Sequence, residues 1–202
     1  MGRMVDAHMI KPLSAETYPA WLALAEKHNG VWGGCYCSYF HGDTEETIKR
    51  DYDGPTFKQR LVHEGVAHAA LVFDGDDAIA WCQFGSPEEL PNIYHRKQYD
   101  AGEPNPGPWR ITCFFVDRDH RRSGVAYEAL EGALQLIASA GGGEVVSFPN
   151  ELPEGKRTSS SFLHNGTRAM FEKAGFTFER HIGKSKTVMR RMIASAAPGT
   201  GS

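Results

Sequence analysis

No hydrophobic run in this chain of 202 residues approaches the roughly 20 apolar residues needed to cross a bilayer, which argues against a membrane protein. The opening residues, MGRMVDAHMIKP, lack the apolar core of a signal peptide, so a soluble, cytoplasmic protein is expected. Cysteine is scarce. The four present (Cys35, Cys37, Cys82 and Cys113) follow no disulfide-framework spacing and are expected to stay thiols. Neither sign of charge dominates, and a formal net charge of −3 argues against a general nucleic-acid binder. No internal repeat is visible, and the small, polar residues 194–202 are expected to form a disordered tail.

What is present is enough apolar residue, 41% of the chain, for one globular domain over 1–193. A short strand is expected over 7–10. A helix follows from Ser14 and Glu16, with Trp21, Leu22, Leu24 and Ala25 on its apolar face. Residues 30–43 are glycine- and aromatic-rich and read as a loop. A more broken helical region opens at Thr44 or Thr47, is interrupted at Gly54-Pro55 and resumes to about His63. Apolar runs at 67–73 and 78–84 around an Asp-Gly turn read as a β-hairpin. From 86 to 108 the periodicity fails amid five prolines, and a loop of that length is often functional. A buried strand over 110–116 leads to a long helix striped with Ala126, Leu130, Ala133, Leu134 and Ile137. Gly141-Gly142-Gly143 stops it. A strand over 145–148, a loop over 149–166, a short helix over 167–174 and strands over 176–182 and 186–193 complete an α+β order around a mixed sheet.

The most informative stretch runs from Val116 to Ala126, VDRDHRRSGVA. It joins the apolar run WRITCFFV to the amphipathic YEALEGALQLIASA through a basic, glycine-containing turn at a helix start. Unpaired N–H groups and about half a positive elementary charge make such a turn a ready phosphate site. Gly124 lets the backbone approach an anion, Ala126 keeps the next turn slim, and Arg121 and Arg122 add charge.

The spacing Val-x4-Arg-x2-Gly-x-Ala resembles motif A of the GNAT superfamily, the acyl-CoA-dependent N-acyltransferases. Residues 167–176, TRAMFEKAGF, look like that family's motif B, a helix closing on Glu-Lys-x-Gly-Phe. Both motifs fall in the family's order, and the Cys-x-Cys-x-aromatic segment near the N-terminus suggests a bacterial branch. The resemblance implies a mostly antiparallel sheet flanked by helices and splayed between its fourth and fifth strands. It also implies acetyl-CoA as co-substrate with no metal. Phe114, Phe115 and Val116 would then pair with the pantetheine arm. The amides of Arg122, Ser123, Gly124, Val125 and Ala126 would hold the pyrophosphate beside Arg121, and Phe171 would lie against the cofactor. Many relatives pair as homodimers.

The chain departs from the family where proton transfer is concerned. The motif B helix commonly offers a tyrosine, and here that position is Phe171. The fourth strand commonly begins near a glutamate, and here it reads Trp109-Arg110-Ile111-Thr112. Three explanations stay open: catalysis by proximity, a substitute side chain, or loss of transfer with retention of acyl-CoA binding. The substitutes are Cys113 and His164 as catalytic candidates, with Tyr94, His95 and Tyr99 in the 86–108 loop. His164 stands where many relatives have an asparagine on the cofactor arm, with Asn165 beside it.

Trp32, Tyr36, Tyr39 and Tyr94 are the expected walls of the acceptor pocket, since the segment between the first two helices lines it in the family. Cys35-Tyr36-Cys37 with His41 is too sparse for a zinc site. Gly183-Lys184-Ser185 precedes a strand, not a helix, and is not a phosphate loop. The resemblance thus points to acetyl transfer onto a primary amine, expected to be a small molecule, by direct attack. A protein lysine or N-terminus as acceptor, or a non-catalytic acyl-CoA sensor, are the alternatives.

Overall fold

The structure, a computed structural model, describes residues 7–31, 33–42, 52–102, 106–152 and 162–196. Among these residues seven strands form one sheet in the order β1-β2-β3-β4-β5-β7-β6. They are β1 (Met9–Pro12), β2 (His68–Asp74), β3 (Asp77–Gly85), β4 (Trp109–Val116), β5 (Gly143–Ser147), β6 (Thr177–Ile182) and β7 (Lys186–Ile193). Every neighbouring pair is antiparallel except β4 and β5. The expected α+β architecture is therefore present.

Among the described residues five helices flank the sheet: α1 (Tyr18–Lys27), α2 (Gly54–His63), α3 (Arg96–Ala101), α4 (Val125–Ser139) and α5 (Arg168–Lys173). The apolar stripe of α4 lies on one face with Ile79, Ile111, Phe114 and Phe171. Gly132 permits this close seat, since a Cβ there would stand 2.7 Å from Ile10 and 3.3 Å from Ala70. On the opposite face, Trp21, Leu24 and Phe57 from α1 and α2 pack with Trp81, Cys113 and Phe115. β4 thus feeds both cores.

Three expectations need correcting. Gly54-Pro55 stands inside the helix that runs to His63, not ahead of it. It begins α2, where proline lacks an N–H the helix would not use, and Asp53 caps the start by accepting from the Thr56 amide. The segment before Tyr52, including Thr44 and Thr47, lies outside the described residues. The 86–108 stretch is not all loop, for α3 sits inside it. Its six residues bury only Tyr99, so it leaves no apolar period to read. The first strand begins two residues later than expected and runs into Pro12, an edge position that tolerates a missing donor.

Candidate functional site

Two irregularities in β4 create the site. Gln83 opposes Cys113 while Phe84 opposes Ile111, so Thr112 is the extra residue of a β-bulge. On its other edge β4 pairs with β5 only through Trp109, Arg110 and Ile111. From Thr112 onward the two strands part, the splay expected between strands four and five. Asn165 fills part of the gap, its Nδ2 donating to the Thr112 carbonyl at 2.5 Å. Arg121 Nε donates to the Val116 carbonyl at 3.2 Å. By alternation the Phe114 N–H faces the same gap and has no strand partner there.

The turn after β4 is shaped for an anion. Arg122 and Gly124 adopt left-handed backbone, with φ of +65° and +92°. The amides of Arg122 through Ala126 find no acceptor among the described residues. They stand at the positive end of the fifteen-residue α4. The nearby Asp117 does not compete, because its buried carboxylate is held by Lys27 at 2.5 Å and His28 at 3.2 Å. Burial raises the Asp117 pKa, but Lys27, the Asp119 amide and His28 outweigh it and bring it down to about 2.

A cleft of about 450 Å³ opens onto this turn. It is lined by Phe114, Phe115 and Val116 of β4, by Arg121, Arg122, Gly124, Val125 and Ala126, and by His120 and Leu163. Eight residues expected at a cofactor site thus share one cleft. Two others do not. Ser123 turns its Oγ back to the His120 carbonyl at 2.5 Å. Phe171 is fully buried, edge-to-face with Phe114 and Phe176, so its ring supports the cleft from beneath and exposes no surface to a ligand.

On the opposite face the sequence candidates separate. Tyr94 and His164 meet, with the phenol oxygen 3.2 Å from Nε2. Tyr39 stacks on Tyr94 at 5.0 Å, and Phe40 closes on both Tyr94 and His164. Burial lifts the Tyr94 pKa to about 12, so the phenol keeps its proton at neutral pH. Tyr36 goes elsewhere: its ring packs against Trp21, so close to Gly30 and Gly54 that a Cβ at either would strike it. Trp32 lies outside the described residues. Cys113 is 1% exposed, with its Sγ 3.1 Å from that of Cys37. The Cys37 contact and burial push the Cys113 thiol well up, so it is a core group and no accessible acid.

Several site residues escaped the sequence reading. Lys58 and Lys186 are both buried, and each reaches an amide beside Thr112. Their signal was positional. Lys58 precedes Leu61 and Val62 by three and four residues, on the inner face of α2, and Lys186 shares its strand face with Val188. His120 and Leu163 carried no signal of their own.

No family model matches the chain, and no curated protein matches it in sequence. Solved structures do share its architecture. An acetyltransferase of the GNAT family from Desulfovibrio desulfuricans superposes with a TM-score of 0.51 at 14% identity, covering 93% of this chain and 100% of that one. The chain has the GNAT fold. A Corynebacterium glutamicum protein described as histone acetyltransferase HPA2 and related acetyltransferase reaches 0.53 at 12% identity, covering 96% and 99%. The PaiA N-acetyltransferase of Thermoplasma acidophilum, solved with coenzyme A, reaches 0.50 at 13% identity, covering 92% and 99%. Leu163, which lines the cleft beside α4, is next in sequence to His164 of the Tyr94–His164 pair.

Proposed function

We propose that this protein is an acetyl-CoA-dependent N-acetyltransferase that acts on a primary amine of a small molecule by direct attack. The observation that carries the reading is the run of five amides without acceptors at the start of α4, beside the unpaired edge of β4. Such a run suits a diphosphate, and Arg121 and Arg122 add charge at its rim. The strand edge at Phe114 offers an N–H to an amide-bearing arm. The thioester supplies an activated acyl carbon and a thiol leaving group.

What remains for the protein is orientation and one proton. Holding a neutral amine against an activated acyl group lowers the barrier by proximity, without a strong base, and the nitrogen sheds its extra proton to solvent as the C–S bond breaks. Tyr94 stays protonated and lies against His164, whose neighbour Leu163 lines the cleft, and this supports assigning the pair to give a proton to a departing sulfur and regain it from solvent. Among the described residues Tyr94 and His164 do the work that the missing motif B tyrosine leaves open. The Tyr39–Tyr94 stack narrows the opposite face, which favours a small acceptor over a protein segment.

Turnover of acetyl-CoA with a panel of small amines, followed as free thiol, tests the reading. Thiol release that requires an amine, with the acetylated amine found by mass spectrometry, is expected. Acetyl-CoA binding without turnover of any amine or peptide would leave an acyl-CoA sensor instead. Acetylation confined to peptides would move the acceptor to protein.

A further inference from the structure

Thr112 is gripped from both sides by matching arms. On one side Lys58 Nζ donates to Gln83 Oε1 at 3.1 Å, and Gln83 Nε2 reaches Thr112 Oγ1 at 3.3 Å. On the other, Lys186 Nζ donates to Asn165 Oδ1 at 2.6 Å, and Asn165 Nδ2 donates to the Thr112 carbonyl. We propose that Lys58 and Lys186 are positioning residues for acyl transfer, each acting through one amide to fix the bulged Thr112 where β4 leaves β5. The inference rests on the acetyltransferase reading given above.

The chemistry of each arm is directional. An amide can accept at its oxygen and donate from its nitrogen, so an ammonium on the oxygen settles which way the group points. The same ammonium polarises the amide and strengthens its outgoing bond. Lys58 makes two further bonds, to the Cys37 carbonyl and to His41 Nε2, both at 3.1 Å. His41 can accept there because its Nδ1 lies 3.0 Å from the Glu89 carbonyl and carries the proton. Burial and the Lys58 charge hold His41 neutral. Lys186 also donates to Asn150 Oδ1 at 3.0 Å and stands 5.0 Å from the Tyr94 ring.

Neither ammonium has a carboxylate partner among the described residues. A hydrophobic side chain of similar size would be the cheaper occupant of either place if only packing were at stake. The groups that face Lys186 are neutral: Asn150 beyond β5, Asn165 before α5, and the Tyr94 phenol from the segment before α3, with His164 behind it. Glu151, next to Asn150, is turned away to Arg168 and His181. Burial disfavours the charge on both lysines, and such charge as they carry opposes a second cation in the acceptor and favours charge that develops as negative.

Double-mutant kinetics with T112V, K58M and their combination test the first arm, and K186M tests the second. T112V removes the hydroxyl that Gln83 reaches and keeps the side-chain shape. T112V is expected to lower kcat about tenfold with little change in KM for acetyl-CoA, since small misplacements cost rate more than binding. K58M should add almost nothing on the T112V background, because both act along one path. K186M should lower kcat similarly and flatten the fall in wild-type kcat above about pH 8, where Lys186 loses its proton. Additive losses from T112V and K58M, or an unchanged pH profile in K186M, overturn the proposal. Amide exchange at 112–114 decides independently of activity. It should quicken in both lysine variants, and unaltered exchange in folded protein overturns the proposal even if the wild type transfers no acyl group.

Discussion

Tyr94 carries the heaviest expectation placed on any one side chain. Removing its hydroxyl should leave the Tyr39 stack and the fold in place while taking away the phenol that meets His164. Y94F is expected to lower kcat about 100-fold with KM for acetyl-CoA nearly unchanged, as steady-state kinetics would show. A loss confined to KM would make Tyr94 a binding residue. Lys186 gives a second, thermodynamic prediction. Burial brings its pKa from 10.5 down to about 8, so between those values the unfolded chain holds a proton that the folded chain has released. Stability therefore rises with pH across that window, and below pH 8 the charge is a standing cost. Melting curves of wild type and K186M from pH 7 to 10.5 should show the wild type gaining on the variant as pH increases. Neither lysine was legible as functional in the sequence. A cation on an inner helix or strand face can be read from periodicity, but its meaning depends on Thr112, 54 residues from Lys58 and 74 from Lys186, and no local pattern carries that.

Among the elements, the β4–α4 junction was the most legible, because strand, turn and helix follow one another and their chemistry is local. Val116 to Ala126 combines an apolar strand end, paired arginines and a glycine at a helix start, and each feature has one structural consequence. The short 3₁₀ turn Arg118–His120 was not foreseen. It depends on Asp117, which accepts from the Asp119 amide and draws in Lys27 and His28 from α1. The Asp117 pKa lies below the usual carboxylate value, so its contribution is complete above about pH 4 and fades as pH falls toward 2. At neutral pH, D117N should cost about 2 kcal/mol of stability, and the gap from wild type should close on acidification. Chemical denaturation at pH 7 and pH 3 would measure both. α3 stayed hidden for the opposite reason, since a helix that buries only Tyr99 leaves no period. The cofactor candidates of the β4–α4 junction fell together, whereas Tyr36 parted from Tyr39 and Tyr94, which stack on each other, through packing that the sequence does not state.

For the molecule as a whole, the order of elements was readable and the consequences of the splay were not. Alternating apolar runs announced the strands, yet Ile111 and Phe114, three residues apart, share one face only because of the extra residue at Thr112. That bulge puts Ile111 and Phe114 in the core of α4 and Cys113 and Phe115 in the core of α1, beside the gap between β4 and β5. The cleft at the gap holds the amide turn, with Leu163, the neighbour of His164, in its wall. The arrangement suits a reaction in which two substrates meet without an intermediate on the protein.

Calorimetric titration of acetyl-CoA into wild type and G124E tests the central claim most directly. Gly124 has φ of +92°, and a Cβ there meets no atom within 4 Å, so glutamate would crowd no neighbour yet would strain the turn and set a carboxylate beside the free amides. Measurable wild-type binding, weakened at least about 100-fold in a folded G124E, is the expected result. Equal affinity in the two proteins, or no wild-type binding at millimolar acetyl-CoA, would contradict it.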